Sequence, residues 1–352
     1  MITVQFKLMP TSQQQNHLYQ ITKEYIDTVN DLVDYITAQD IMPKLTSARF
    51  QAKLPSSVKS EAILASQSIC KKHKKGVCKS IPILKKPVCT WNNQNYQIKE
   101  NSIEFPVLID GKCKRISVKA TMTEYQLKRL IGKLGTLRIT QKSGKWIAQI
   151  AVHEAVVVCD GDTVMGIDLG LKIPAVAVTD TGKTKFFGNG RKNKYMKRKF
   201  RATRKKLGKA KKQKAINKLG NKEQRWMGDQ DHKISRQIVN FAIQNQVSVI
   251  RLEQLQNIRN TARTSRKNAK NLHTWSFYRL AQYIEYKSNM VGIKVEYVNP
   301  KYTSQTCPLC GERNHAKDRK YVCSCGYHAH RDRVGAVNII HAPVVSGNRK
   351  SA

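Results

Sequence analysis

Two pairs of cysteines lie close together towards the C-terminal end: Cys307 and Cys310 in CPLCG, then, after twelve residues, Cys323 and Cys325 in CSCG. Four thiolates on two short turns form the donor set of a tetrahedral zinc ion. Gly311 and Gly326 follow the second cysteine of each pair, where a residue without a Cβ lets the chain turn tightly and aim amides at sulfur. The second pair has one intervening residue where two are usual, a departure that zinc ribbons tolerate. The alternative, four free or buried cysteines, gives no reason for a glycine after each pair. Four sulfurs leave no open coordination position, so the expected zinc is structural.

Three acids form a second constellation. Asp168 lies in MGIDLG, at a strand running into a glycine turn; Glu253 ends the apolar strand VSVIRLE; Asp332 opens a helix in HRDRVGAVNI. An acid at the end of an apolar strand is costly to bury unless it is paired or ligates a cation. Any one of them alone reads as a surface acid. The three in this order, on a first strand, a central strand and a late helix, match the edge of an RNase H-like fold. There such carboxylates hold two magnesium or manganese ions about 4 Å apart, which activate water and stabilise the leaving oxygen of a phosphodiester.

Weaker signals are weighed against plainer readings. Cys70, His73 and Cys78 with Cys89 offer a second metal site, but free cysteines in or near a helix are commoner. His232 is placed near a phosphate or, preferably, at a helix cap. Tyr302, Trp275 and Trp226 offer stacking on bases, although core packing is the stronger reading for both tryptophans. No glycine-rich phosphate loop with its lysine is found, so no ATP-driven activity is expected.

The elements that must position these residues follow from periodicity. Residues 1–9 alternate as a strand, Pro10 ends it, and Thr11 with Ser12 can cap a helix. Leu18, Ile21, Tyr25, Val29 and Leu32 make a helical stripe, and a second helix opens at Ser56 and Ser57. From about residue 80 the period becomes two, in YQIKENSIEFPVL, KRISVKATM, GTLRITQK and KWIAQIAVHEAV. The simplest arrangement pairs the first strand with this later group, so that residues 10–82 are a helical insertion in a β-barrel spanning 1–9 and 83–158. Three short strands follow residue 159. Residues 191–225 then carry 17 Lys or Arg against one acid, Glu223, and read as a helical hairpin broken near Gly208 or Gly220. So many like charges on one helix repel at i,i+4; a phosphate backbone relieves this, where a solvated charged surface would not. Beyond it come a helix through Ile234, Ile238 and Phe241, the strand ending at Glu253, a basic loop over 257–271, and a helix from Trp275 to Val291. The strand GIKVEYV, the cysteines and a last helix from about Asp332 to His341 complete the chain, with a frayed tail. The α+β division is thus 159–301 with 328–352 for an RNase H-like α/β domain, and 302–327 for an inserted zinc knuckle.

Composition agrees. The 352 residues hold 64 Lys and Arg against 24 Asp and Glu, a formal charge of +40. A compact chain at that charge needs a polyanion to neutralise it. The basic residues recur along the whole chain without an amphipathic membrane helix, which favours nucleic acid over membrane or acidic protein. No apolar run is long enough to span a bilayer, and MITVQFKLMP does not read as a secretory signal. An odd count of nine cysteines without such a signal points to a reducing compartment, and a cytoplasmic location is expected; the family resemblance given below implies a bacterial or archaeal cell and association with the nucleoid. The oligomeric state is left open, with a monomer favoured.

GIDLG, RLEQL, YTSQTCPLCG, CSCG and HRDRVGAVNI closely resemble the RuvC-type nuclease and zinc motifs of the TnpB family, transposon-encoded proteins related to type V CRISPR effectors. The resemblance runs over essentially the whole chain and is especially close in WSFYRL and in YKSNMVGIKVEYVNPKYTSQTC. It implies a wedge-like β-barrel with a helical recognition insertion, followed by a RuvC domain interrupted by the zinc segment. It implies that Asp168, Glu253 and Asp332 are catalytic acids binding magnesium or manganese, and that Cys307, Cys310, Cys323 and Cys325 ligate zinc. The family cleaves double-stranded DNA beside a short adjacent motif, directed by an RNA transcribed from the transposon end. Two departures stand out: Val334, Gly335 and Ala336 where many members have Asn-Ala-Ala, and His330 where many have an acid. The rival expectations are a nuclease-inactive guided repressor, which loss of a carboxylate would signal, and a DNA-strand-transfer transposase, which this fold also permits.

Overall fold

The alternating N-terminus forms strand β1 (Ile2–Leu8), burying Val4, Phe6 and Leu8 on one face. In a computed structural model, residues 2–39, 41–78, 80–153, 161–255, 276–316 and 318–345 are described. Two units divide the chain, one built on Met1–Ala155 and the other on Val156–Asn348.

In the first unit, Thr11 closes a capping box with Gln14 and starts helix α1 (Ser12–Thr37). Its stripe of Leu18, Ile21, Tyr25, Val29 and Leu32 is buried, and α1 packs on α2 (Ser56–Lys74). Strands β2 (Val88–Trp91), β3 (Gln97–Lys99), β4 (Ser102–Ile109) and β5 (Lys112–Thr121) follow, then the short helix α3 (Glu124–Arg129), β6 (Lys133–Lys142) and β7 (Lys145–His153). They form one seven-stranded sheet in the order β2-β6-β7-β1-β5-β4-β3, with antiparallel neighbours. The first strand sits at the centre, between strands more than a hundred residues later, as its pattern required. The sheet stops at β2 and β3 among the described residues, so it is a half-barrel where a closed barrel was expected. The reason lies in the core: α1 and α2 pack against β2, and α1 against β4. The apolar face that closing strands would cover is already covered by helices.

The second unit is built on a five-stranded sheet: β8 (Thr163–Asp168), β9 (Ala175–Thr179), β10 (Thr184–Phe187), and later β11 and β12. Three helices come between. Helix α4 (Gly190–Lys209) and α5 (Gln213–Leu219) lead to the long α6 (Lys222–Gln244), before β11 (Val247–Glu253), α7 (Phe277–Asn289) and β12 (Lys294–Val298). The order is β10-β9-β8-β11-β12, parallel from β8 through β11 to β12 and antiparallel from β8 through β9 to β10. The hairpin β13 (Lys320–Val322) and β14 (His328–His330) precedes the last helix, α8 (Arg331–His341).

The basic run is therefore three helices, where a two-helix hairpin was expected. Gly208 does not break α4; the first break falls at Lys211, at φ +52°, and the second at Gly220, at φ +44°. Helix α6 then continues unbroken through Ile234, Ile238 and Phe241, because its buried face starts at Met227. Arg204 of α4 pairs with Glu223 of α6, so the one acid of the run ties two helices together. Helix α4 turns Met196, Phe200 and Leu207 inwards, while Lys192, Lys194, Arg198, Lys199, Arg201 and Lys205 are exposed. Among the described residues no helix is long and apolar enough to cross a membrane. The expected basic loop, Trp275, Cys159 and the C-terminal tail lie outside the described residues.

Candidate functional site

Alternation decides where the acids go. Successive strand residues point to opposite faces, and Met165 and Ile167 of β8, with Ile250 and Leu252 of β11, are buried in the core that includes Ile234, Ile238 and Phe241 of α6. Gly166 and Asp168, with Arg251 and Glu253, must then face the other side. Ile167 pairs with Leu252 in parallel register, so Asp168 and Glu253 end neighbouring strands on one face. Helix α8 packs against β8 and β9 on that face. Its approach is set by Gly166, where a Cβ would lie 2.1 Å from the Ala336 carbonyl oxygen. One residue earlier on α8, a Cβ on Gly335 would stand 3.3 Å from the Asp168 carboxylate. Asp332 lies in the first turn of the same helix and is 6% exposed. The structure thus gathers all three sequence-predicted acids at one edge of the sheet.

Their electrostatics are strained. Burial pushes the Asp168 carboxyl well above the usual carboxylate range, and the charges of Glu253 and Asp332 push it further; Arg331 and Arg319 oppose this only in part. Burial also raises Glu253, against a hydrogen bond from the Thr303 hydroxyl. Asp332 is compensated differently. Arg319 donates to both of its oxygens, at 2.6 Å for Oδ2, and the α8 N-terminus favours an anion there. His330 caps that helix, its Nδ1 accepting the Asp332 amide at 3.3 Å. Two carboxylates that raise the proton affinity of a third make a site that divalent cations relieve, and carboxylate oxygens are the donors that hard cations take; among the described residues only the four cysteines bring their ligand atoms within 4.8 Å of one another.

Sequence reasoning missed three residues here: Arg319, Thr303 and Asn338. Asn338 Nδ2 donates to the carbonyls of Thr303 and Thr306, at 2.7 Å each. Arg319 and Thr303 lie inside the zinc segment, where no periodicity points to a carboxylate; only the resemblance of YTSQTC to a family motif marked the neighbourhood of Thr303.

The four cysteines converge. Their sulfurs all lie within 4.8 Å of one another, with Cys307 to Cys325 at 3.7 Å and Cys310 to Cys323 at 3.4 Å. Zinc–sulfur bonds of about 2.3 Å place tetrahedral sulfurs about 3.8 Å apart, so the spacing fits zinc. Gly311 and Gly326 both adopt positive φ, at +77° and +89°, as the turn argument required. The amide of Cys325, together with the neighbouring thiols, holds the Cys323 thiol down at about 6, and Asn314 Nδ2 donates to its sulfur at 3.0 Å. Tyr321 and Val334 pack with Cys307 and Cys323 in a small core. Val334, one of the departures from the family pattern, is thereby a knuckle core residue.

Other expectations resolve as follows. His232 is not a helix cap: it lies inside α6 and stacks on Tyr283 of α7 at 4.0 Å. Cys70, His73, Cys78 and Cys89 do not gather as a ligand set; Cys70 and Cys89 are buried in the first unit's core, and His73 Nδ1 lies 3.1 Å from the Cys78 carbonyl. Trp226 is half-buried, and Tyr302 is exposed with the Arg313 guanidinium 3.7 Å over its ring.

Residues 277–339 match a family model described as Cas12f1-like, TNB domain. A "CRISPR-associated endodeoxyribonuclease Cas12f1" of Sulfoacidibacillus thermotolerans is 27% identical over 280 residues, covering 74% of this chain and 63% of that protein. "TnpB-like protein MJ0751" of Methanocaldococcus jannaschii is 32% identical over 96 residues, covering 27% of this chain and 34% of that one. The chain therefore spans less than two thirds of these relatives' length. Among solved structures, a Cas12f1 complex with sgRNA and target DNA superimposes with a TM-score of 0.71 at 17% identity, over 94% of this chain and 84% of that one. The chain is thus similar to TnpB-like and Cas12f1 proteins, and these similarities support a place among TnpB-like type V effectors.

Proposed function

We propose that the chain is an RNA-guided, divalent-metal-dependent DNA endonuclease, with Asp168, Glu253 and Asp332 as its catalytic acids. The observation that carries this is the shared face: Asp168 and Glu253 end adjacent parallel strands, and α8 brings Asp332 over the same edge. The strand order, with β9 running against the other four strands of the sheet, accords with an RNase H-like RuvC domain built from 159–301 and 328–352. The zinc knuckle, 302–327, interrupts it, and the half-barrel with its helical insertion is the wedge and recognition part. Bound magnesium or manganese would supply Lewis acidity for attack of water on a phosphodiester. The chain's own part is to hold three carboxylates in fixed positions, with Arg319 anchoring the third. Zinc in the four-cysteine cluster is structural.

Guide and target are read as in other RNA-guided systems: base pairing supplies sequence, and the protein supplies shape and charge. One relative is named an endodeoxyribonuclease, and the superimposed structure holds an sgRNA and target DNA. A charge of +40 with the exposed basic face of α4 gives this chain the surface for such a polyanion. The RNA comes from the transposon end, and the cut falls in double-stranded DNA beside a short motif.

The test is reconstitution with the RNA that copurifies. Cleavage should require magnesium or manganese and follow a rewritten guide segment. Asp168→Ala, Glu253→Ala and Asp332→Ala should each lower it by orders of magnitude while DNA binding persists. A random mixture of RNAs, with cutting indifferent to the guide, would overturn the guided reading; a variant that cuts at wild-type rate would remove that acid from the site.

A further inference from the structure

Glu253 ends its strand, so the backbone of β11 fixes its Cα but leaves three side-chain torsions to be settled by neighbours. What settles them is a contact from outside the sheet. The Thr303 hydroxyl donates to Glu253 Oε1, and Thr303 is itself buried, at 6% exposure. A hydroxyl has one proton to give, and the same oxygen lies 3.2 Å from the Pro300 carbonyl. Two acceptors therefore compete for that proton, and the bond to Glu253 persists only if residue 303 is held in place.

Asn338 holds it. An amide nitrogen carries two protons, and Asn338 Nδ2 lies 2.7 Å from both the Thr303 and the Thr306 carbonyls. These two carbonyls bracket a tight turn, in which the Gln305 and Thr306 amides both donate to the Tyr302 carbonyl, at 2.9 and 3.0 Å. Tyr302 adopts a positive φ of +62° to enter that turn. The residue after it is Cys307, the first of the four clustered cysteines. Asn338 belongs to α8, the helix that bears Asp332. One side-chain fork thus joins the last helix, the start of the zinc segment and the hydroxyl on Glu253.

We infer that Thr303 and Asn338 are positioning residues that orient the Glu253 carboxylate for cation binding. The inference rests on the reading of Glu253 as a metal ligand and goes beyond it. Ligand orientation is supplied by the entry turn of the zinc segment, locked from α8, and not by the strand. Groups that orient a metal ligand through a hydrogen bond typically carry a factor of about 10–100 in metal affinity or activity.

The experiment compares two near-isosteric substitutions in the full, zinc-loaded chain. Thr303→Val keeps the shape and loses the hydroxyl; Thr303→Ser keeps the hydroxyl and loses a methyl. Manganese affinity is measured by calorimetry on RNA-free protein, and the half-saturating manganese concentration for guided cleavage is measured on the reconstituted complex. The expected result is that Thr303→Val weakens manganese about 10–100-fold by both measures, while Thr303→Ser stays within about threefold of wild type. Asn338→Ala, which leaves the hydroxyl but frees the turn, should shift both measures in the direction of Thr303→Val; wild-type values for it would remove Asn338 from the device. Zinc content and melting temperature, recorded for each variant, separate a lost knuckle from a misplaced ligand. If Thr303→Val binds manganese as wild type does while Glu253→Gln does not, the positioning inference is wrong and the ligand reading stands. If valine is tolerated better than serine, Thr303 serves packing, and the inference is equally wrong. If Glu253→Gln itself keeps wild-type manganese affinity and cleavage, the ligand reading fails and takes the inference with it.

Discussion

Gly166 offers the sharpest test of how the acids are brought together, because it is buried against α8 and has no side chain of its own to take part in chemistry. A methyl group there would sit 2.1 Å from the Ala336 carbonyl oxygen and 2.9 Å from Ile340 Cγ1. Ordinary contact begins at 3.4 Å, so in Gly166→Ala helix α8 must retreat from β8 by about 3.4 − 2.1 = 1.3 Å. Over-packing of this kind costs about 1–3 kcal/mol, a fraction of the roughly 5–15 kcal/mol that keeps a domain folded. The variant should therefore fold, with a melting temperature lowered by about 2–12 °C for a unit of this size. The functional cost is larger. Asp168 lies two residues along β8 from the glycine, and Asp332 lies one helical turn along α8 from Ala336, so the retreat widens the gap between the two acids by a similar amount. A displacement of about 1 Å among groups that act together costs on the order of a hundredfold in rate.

The assay is single-turnover cleavage of labelled DNA by the reconstituted complex, with thermal melting on the same samples. Gly228→Ala, on α6 with open space where its Cβ would go, is the control; it should melt no lower than wild type, since alanine is the better helix former. If Gly166→Ala melts as expected yet cleaves within about threefold of wild type, the close approach of α8 to β8 does not set the geometry of the acids.

Two further outcomes follow from the site. Elemental analysis should find about one zinc per chain; Cys310→Ser should lose it, destabilise the segment around Tyr321, and lower cleavage through Arg319 and Thr303, whereas a zinc-free but fully active wild type would end the structural-zinc reading. Without divalent cations, the raised proton affinities of Asp168 and Glu253 make a contribution to stability that is full below the ordinary carboxylate range and is lost as pH rises through the raised values. Melting temperature should fall across that window, and either Asp168→Asn or added manganese should flatten the fall; a slope unchanged by Asp168→Asn would show that these carboxyls do not carry the strain.

The sequence carried the local features well. Period-two alternation placed β1 in a sheet with strands a hundred residues later, and the paired glycines placed the cysteine turns. The acids were legible because each stands at the end of an apolar run or the start of a helix. What was not legible depended on packing across the chain. The half-barrel stays open because α1 and α2 occupy its apolar face, and no strand pattern encodes that. The basic run became three helices because Lys211 and Gly220, not Gly208, take the left-handed turns. Gly208 keeps an ordinary backbone in the last turn of α4. His232 was misread because a polar stretch with nearby acids looks like a cap, whereas stacking on Tyr283 of a later helix holds it mid-helix. Arg319 and Thr303 are polar residues in polar surroundings and Asn338 a lone polar residue in the apolar run VGAVNII, and only the fold shows what each of them holds.

Asp332 is buried and Asp168 and Glu253 half-buried, and the three are compensated by different means, an asymmetry that bears on how the site would bind a cation. Asp332 has Arg319 and a helix N-terminus, so its charge is compensated by the protein alone. Glu253 has a neutral hydroxyl, which orients the carboxylate but offsets little of the cost of burying its charge. Asp168 is raised by burial and by both other acids, and Arg331 and Arg319 compensate it only in part. The deficit of positive charge is therefore greatest at Asp168, on the central strand β8. A divalent cation bound there releases more electrostatic strain than one bound at Asp332, where it must compete with Arg319. Asp168 should accordingly dominate the affinity for the first cation, and Asp168→Asn should weaken manganese binding more than Asp332→Asn does. Calorimetry on the zinc-loaded chain measures the two directly. An equal loss, or a greater one at Asp332, would show that the arginine is displaced without cost and that the asymmetry of compensation does not govern cation binding.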